Sequence, residues 1–542
     1  AALLAGRGYD DPTRAERFLK PRLSDLSDPF DLPAMDKAVD RIWRAIDAGE
    51  RIAIYGDYDV DGITSSALLS QVLAGLGAKV SVFLPHRLDE GYGLSMDGMQ
   101  RCLEEHQPGL IVTVDCGTGS VEPVRALAER GVDVVITDHH TPPAEVAPAV
   151  AVVNPKLCNH AALQVLAGVG VTFKVCHALL KSGRAAGRTV ASLDLRKHLD
   201  LVALGTISDV VPLIDESRTL ARHGLAQVNE TESTGLRALI DVAGIRGTID
   251  AYEVGFLLGP RLNAAGRLGD ALQSLELLVT RDAGRARAIA SHLDTTNRER
   301  QEIEKRTLKE ALAAIDAEFD PVSTFGIVVA GEGWHAGVIG IVASRLVQRY
   351  YRPSVVIAID GGSGRGSCRS IEGCDLVERL GVCSSLLLKF GGHSMAAGLE
   401  VDAGRIGEFK RAFNESVAGV LRGTDLRPVQ RIDAWMALAD ADDRMLDALD
   451  GLRPFGHGNP TPVWAARSVC VVGRPRPVGQ GHLKFTVASG GVQREAIAFN
   501  FGDRVLPDGE MDIAFQMKRD TYQGREKLVL QIQDVRPAEL CP

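Results

Sequence analysis

From Arg51 to about Lys156, short apolar runs alternate with segments of helical periodicity. RIAIYG, KVSVFLP, GLIVTVDCG, VDVVITDHH and AVAVVNPK read as strands. Between them, stretches such as SSALLSQVLAGLG and PVRALAERG read as helices closed by Gly. Apolar strands alternating with helices predict a parallel sheet covered on both faces. Residues 1–50 read as an N-terminal helical segment broken at Pro21, Pro29 and Pro33, its last piece, Ala34 to Gly49, ending at a Gly cap. Residues 157 to about 280 read as mainly helical and complete a first unit, 51–280. Arg281 to Phe319, rich in Arg, Glu, Ala and Lys without a wide apolar face, reads as one long helix bridging two domains (281–320). FGIVVAG and YRPSVVIAID are strands of a second α/β unit (321–424), in which GGSGRGSCRSI and KFGGHS read as Gly-rich turns offering N–H groups to anions. From about Asp425 the pattern becomes short strands and turns, a small β domain over 425–542.

A chain of 542 residues is too long for one core, which agrees with this division. With 45% apolar and 24% charged residues the composition is that of an ordinary soluble protein. No apolar run reaches membrane-spanning length, no signal peptide is apparent, and the nine cysteines are scattered without metal-binding spacing. These features lead us to expect a cytoplasmic protein with reduced thiols. A net charge of −9 argues against a surface basic all over, but a local basic strip suffices for nucleic acid.

The chemistry centres on Asp57, Asp59 and Asp61. If the chain there were extended, alternate side chains would share one side, and three converging carboxylates call for a polyvalent cation. A polar loop with an N-cap is the competing explanation. Asp57, Asp115 and Asp138 each stand just past an apolar strand, and His139 and His140 follow at once. Carboxyl ends of parallel strands are where such sheets collect functional groups, so three acids there point to a metal site. Asp209 ends the apolar segment in LVALGTISDVVPL and reads as a helix C-terminal turn. Arg261, Asn263 and Arg267 in GPRLNAAGRLGD fit either phosphate or a helix–helix contact. Arg365, Arg369, Ser370, Gly391, Gly392 and His393 are natural phosphate contacts, with ordinary loop glycines and a structural histidine as the alternative. Arg453 to Arg494 holds six Lys or Arg and no acid, interleaved with Phe455, Trp464 and Phe485. Such a strip suits single-stranded nucleic acid, unless the aromatics, Trp464 among them, are core.

With DYDVDG, VDCG and TDHH the sequence resembles the DHH phosphoesterase superfamily, and the GGH motif narrows this to its DHH/DHHA1 members. DEGYGLS, LVALGTISDVVPL, PRLNAAGRLGD, EGWHAGVIGIVASRL, GSCRSI, KFGGHSMAAGLEV and PFGHGNPTPVW extend the resemblance, over nearly the whole chain, to the RecJ family of single-stranded-DNA-specific exonucleases. Cys368 departs from the small residue, Gly, expected in GSCRSI. The resemblance implies an α/β fold: a parallel-sheet DHH domain and a second α/β DHHA1 domain joined by a long helix, plus a C-terminal OB-like β-barrel. It also implies metal-dependent 5′-to-3′ hydrolysis of single-stranded DNA to 5′-mononucleotides, in DNA repair and recombination. Two divalent ions, preferably Mn²⁺ or else Mg²⁺, would share Asp115. Asp61, His139 and Asp209 would complete one site, Asp57 and Asp59 the other. His140 would orient the phosphate or protonate the leaving group, with Asp138 positioning a histidine. Expected partners are single-stranded DNA with a free 5′ end, a helicase and a single-stranded-DNA-binding protein, acting with a monomer and no membrane. Two rivals stand beside this: a DHH phosphodiesterase of short oligonucleotides or cyclic dinucleotides, against which the β domain argues, and a non-catalytic single-strand-binding scaffold, against which the filled ligand positions argue.

Overall fold

The five apolar runs of the first unit pair as β1 (Arg51–Tyr55), β2 (Lys79–Phe83), β3 (Leu110–Val114), β4 (Asp133–Thr137) and β5 (Ala151–Val153), in the order β2-β1-β3-β4-β5. Every pairing is parallel. This computed structural model describes residues 2–86, 90, 93–190, 193–479, 481–502, 504, 506–520 and 526–538. Asp89, Gly91 and Tyr92 of DEGYGLS lie outside the described residues. Strand alternation feeds two cores. Ile52, Ile54, Val112 and Val114 pack with helices Val60–Gly75 and Gly168–Ala185, whereas Ala53, Tyr55, Ile111 and Ile136 pack with helices Met96–His106 and Val121–Glu129. From β1 the chain moves out to β2 and returns to β3 on the other side. The crevice between the carboxyl ends of β1 and β3 is therefore a topological switch point, where open α/β sheets bind ligands.

The long helix runs Ala283–Asp316. Ala286, Ile289, Ala290 and Leu293 bury in the first unit, and Ala311 and Ile315 in the second. That second unit is a sheet of β6 (Ile327–Glu332), β7 (Ser354–Asp360), β8 (Ser363–Arg369), β9 (Lys389–Gly392) and β10 (Ala396–Asp402), ordered β6-β7-β8-β10-β9. Only β6–β7 is parallel. Two segments expected as Gly-rich turns are thus strands. In SGRGSCR the small residues Gly364, Gly366 and Cys368 alternate with Ser363, Arg365, Ser367 and Arg369, so one face packs inward and the other carries polar groups.

The C-terminal strands β12 (Trp464–Val478), β13 (His482–Ser489), β14 (Val492–Ala498), β15 (Glu510–Asp520) and β16 (Lys527–Pro537) build a closed, OB-like barrel, and the short β11 (Ala434–Trp435) pairs onto the start of β12. The long β12 pairs with both β13 and β15, and β14 and β16 close the ring. The aromatic strip does not lie on its surface. Trp464 and Phe485 are buried in the barrel and Phe455 packs against it, because strand alternation puts Leu483, Phe485 and Val487 together inside. Exposed aromatics are found instead at Trp435, with the Arg467 guanidinium 4.4 Å from its ring centroid, and at Phe499. Phe18 of the N-terminal segment joins the same core. Among the described residues no helix is long and apolar enough to cross a membrane.

Candidate metal centre

The Asp-rich run is not an extended strand. Its helix starts at Val60, and Asp59 is the N-cap, its Oδ1 accepting Asp61 N–H at 2.9 Å and Gly62 N–H at 3.1 Å. The strand-to-helix turn, rather than strand alternation, brings the three acids to one place, and Asp59 is both cap and cluster member. Asp61 accepts the N–H groups of Gly168 and Val169, at 2.7 and 2.8 Å, from the start of the helix Gly168–Ala185. Asp115 follows β3 in a left-handed conformation (φ 63°). A Cβ on Gly168 would stand 2.6 Å from its Oδ1, so only glycine lets that helix approach.

His139 follows β4 and reaches into the same volume. Its Nε2 lies 3.1 Å from Asp115, 3.5 Å from Asp209 and 3.8 Å from Asp61. Asp209 is the C-terminal cap of the helix Leu199–Ser208, as its sequence context suggested, and its carboxylate also joins the cluster. Three sets of donor atoms fall within 4.8 Å of one another: Asp57, Asp59 and Asp115; Asp61, His139 and Asp209; and Asp115, His139 and His140.

The electrostatics show what this cluster lacks. Burial, reinforced by Asp59, pushes Asp61 up to about 7 against the two backbone N–H bonds that favour its charge. Burial and the neighbouring carboxylates hold Asp115 and Asp209 well above the ordinary range. His139 cannot act as the counter-charge, because burial and the nearby His140 push it down to about 3. It is a neutral imidazole with a lone pair to give. Crowded carboxylate oxygens and one neutral nitrogen, without thiolate, are a donor set for divalent cations, and the hard oxygens favour Mn²⁺ or Mg²⁺.

Asp138 differs from its neighbours. Its Oδ1 meets His140 Nδ1 at 2.8 Å and accepts His139 N–H at 2.7 Å and His140 N–H at 3.1 Å, and its Oδ2 accepts Thr118 N–H at 3.0 Å. Burial works to raise Asp138, but its bonds to His140 and Thr118 hold it below the usual range. Burial works to lower His140, yet the bond to Asp138 prevails and raises it.

Across the cleft, Arg365, Ser367 and Arg369 of β8 and Lys389 and Gly391 of β9 line a cavity of about 630 Å³ with Tyr58 and Arg267 of the first unit. His393, in the turn after β9, is pushed down by burial and by the positive charges of His140 and Lys156. Its neighbour Gly392 takes a φ of 140° at the end of β9. Other expected contacts are used internally. Arg261 binds Asp294 of the long helix at 2.9 Å, a helix–helix contact, and Asn263 Oδ1 accepts Val60 N–H at 3.2 Å behind the Asp-rich turn. Ser370 is buried and donates to Cys374 O at 2.6 Å. Tyr58, Ser367, Lys389 and Lys156 were missed in the sequence. Ser367 was legible in the alternation of SGRGSCR, and Lys156 follows β5 as the acids follow β1, β3 and β4.

Residues 51–206 match the DHH family N-terminal domain, 323–419 the DHHA1 domain and 432–534 the RecJ OB domain. The single-stranded-DNA-specific exonuclease RecJ of Bacillus subtilis is 38% identical, covering 99% of this chain and 68% of the relative. That of Dickeya dadantii is 37% identical over 99% of this chain and 95% of the relative. The crystal structure of RecJ from Thermus thermophilus in complex with Mn²⁺ superposes with a TM-score of 0.85 at 32% identity, over 99% of this chain and 76% of that one. Its complex with Mg²⁺ gives 0.79 at 30% identity, over 99% and 74%.

Proposed function

The chain belongs to the RecJ family of single-stranded-DNA-specific exonucleases, and on that premise we propose that it hydrolyses single-stranded DNA from a free 5′ end, releasing 5′-mononucleotides with the help of two divalent ions. The observation that carries this is the cluster of buried, mutually repelling carboxylates at the β1/β3 crevice, facing an Arg-lined cavity across the cleft. Asp115 would be shared by both ions, with Asp61, His139 and Asp209 holding one and Asp57 and Asp59 the other. When bound, the ions supply a nucleophile at neutral pH and neutralise charge on the reacting phosphoryl group. His140, kept protonatable by Asp138, orients the phosphate or gives its proton to the departing oxygen. Arg267, Arg365, Arg369, Gly391 and His393 hold the phosphates of the terminal nucleotides. The cleft admits one strand and not a duplex, and the barrel feeds it. In the cell we place the protein in the cytoplasm as a monomer, working in repair and recombination behind a helicase and beside a single-stranded-DNA-binding protein.

Digestion of single-stranded DNA labelled at the 5′ or the 3′ end, with Mn²⁺, Mg²⁺ or EDTA, tests this beside a blunt duplex. We expect prompt release of a labelled mononucleotide only from the 5′ end and only with metal. Release first from the 3′ end would overturn the polarity. Strand binding without hydrolysis would leave a scaffold.

A further inference from the structure

Part of the β domain reaches the loop that carries Asp209. After Asp209 the chain turns through Val210, Val211 and Pro212. Val210 has a φ of 60°, a left-handed conformation that β-branched residues resist. Its side chain is 63% exposed, so its own burial does not hold it there. Backbone contacts do. His457, in the PFGHGNP stretch, brings its ring Nδ1 to 2.9 Å from Val210 O. The same residue's carbonyl accepts Leu213 N–H at 2.7 Å. Two bonds from one residue therefore bracket the turn. A carbonyl can only accept, so this contact puts a hydrogen on His457 Nδ1.

The loop that presents His457 is itself firmly held. Asn459, 1% exposed, donates to Leu452 O and Pro454 O, both at 2.8 Å. Arg218, rooted in the helix Asp215–Asn229, donates to Arg453 O at 2.9 Å. Gly458, at φ 72°, lies so close to the Asp209 loop that a Cβ would meet Pro212 at 3.0 Å.

We infer that His457 is a positioning residue for the metal centre: its Nδ1–H holds the Val210 carbonyl, keeps the strained turn in place and so fixes the Asp209 carboxylate one residue upstream. The inference rests on Asp209 being a ligand, as proposed above. It makes the β domain a structural part of the hydrolytic site, to which it contributes no reacting group. Released from His457, Val210 would relax toward an ordinary backbone conformation and carry Asp209 away from His139 and Asp61.

Calorimetric titration of the intact chain with Mn²⁺, without DNA, separates this effect from turnover. His457→Ala removes the donor, and His457→Asn puts an amide N–H close to the place of Nδ1. We expect His457→Ala to weaken one of two Mn²⁺ binding events by about 3–10-fold, the size of one exposed hydrogen bond, and to leave the other within about twofold. His457→Asn should bind as the parent does. Gly458→Ala, which presses on Pro212 with His457 intact, should weaken the same event. Thermal unfolding in EDTA should be unchanged for the two His457 variants and lowered for Gly458→Ala, because an alanine is strained at φ 72°. Should His457→Ala fold poorly, His457→Gln, whose longer side chain carries the amide away from the place of Nδ1, carries the test, and unaltered Mn²⁺ binding in it overturns the inference. Parent-like binding in His457→Ala, or an Asn variant as weak as the Ala variant, overturns it too. Failure of the parent protein to bind Mn²⁺ at all would instead sink the metal-centre reading.

Discussion

The molecule contains two five-stranded sheets that face one another across a cleft, and they equip it by opposite means. In the parallel sheet the functional groups stand past the strand ends, at β1, β3 and β4, where loops and helix termini converge. In the mixed sheet they stand on a strand face, as Arg365, Ser367 and Arg369 of β8. The first arrangement buries acids against one another: Asp57, Asp61 and Asp115 are each about 1% exposed, and burial and neighbouring carboxylates raise Asp61 and Asp115. The second leaves its cations half-open, with Arg369 bonded within its strand to Ser367 Oγ at 3.2 Å and Cys368 O at 2.8 Å and Arg365 3.8 Å from Glu400 of β10. A buried cluster of repelling acids demands a bound cation, whereas an open row of arginines merely accepts an anion. Chemistry should therefore fail when the first sheet is altered, and affinity when the second is.

The largest effect is expected at Asp115. Asp115→Asn replaces the carboxylate that belongs to two of the three donor sets by a neutral amide of the same shape. Hydrolysis of single-stranded DNA should fall by roughly 10³-fold or more. Binding of a fluorescent oligonucleotide, and the slope of that binding with salt, should stay within about threefold of the parent. If binding fell as far as turnover, the division of labour between the two sheets would be wrong.

Arg369→Ala is the mirror experiment and should have a smaller effect. Removing one charge-assisted contact should weaken strand binding about tenfold. The slope of log affinity against log salt should shrink by about 0.7, the loss of one phosphate contact on a single strand. Turnover of saturating DNA should change little. A fall in kcat with unchanged KM and unchanged salt slope would move Arg369 from holding phosphates to acting in the reaction.

Much of the parallel sheet was legible because each strand was a short apolar run, and the acids that follow β1, β3 and β4 stood out against it. What stayed open were residues whose structural and chemical roles need the same sequence. Asp59 caps a helix start and Asp209 a helix end, and nothing local distinguishes a cap from a cap whose carboxylate also joins an acid cluster. SGRGSCR reads as a turn on its glycine content, although its two-residue alternation is that of the strand it forms. The same alternation, applied to HLKFTVAS, would have put Phe485 inside the barrel. Ser367 and Ser370 are three residues apart, yet one lines the cavity and the other bonds Cys374, because β8 ends at Arg369 between them. Such distinctions belong to tertiary packing, which a single sequence does not spell out.

The smallest effect concerns the acid cluster without its cations. The folded-state values of Asp61, Asp115 and Asp209 lie above their unfolded ones, first through burial and then through mutual repulsion. For carboxyls shifted this way the folded state binds protons more tightly than the unfolded one. Their favourable contribution is thus complete below about pH 4, the unfolded value, and is lost as pH rises through the folded values, about 7 for Asp61. Protein stripped with EDTA should lose stability across that window. Protein saturated with Mn²⁺ should not, since the cation takes over the role of the protons. The gap in Tm between the two should widen from pH 5 to pH 8 and reach about 5 °C, and Asp115→Asn, with one acid fewer, should narrow it. The parent would have to show the same gap at pH 5 and pH 8 for the repulsion to be discounted. The acids would then be neutralised by the protein itself, and the contrast between the two sheets would reduce to one of position.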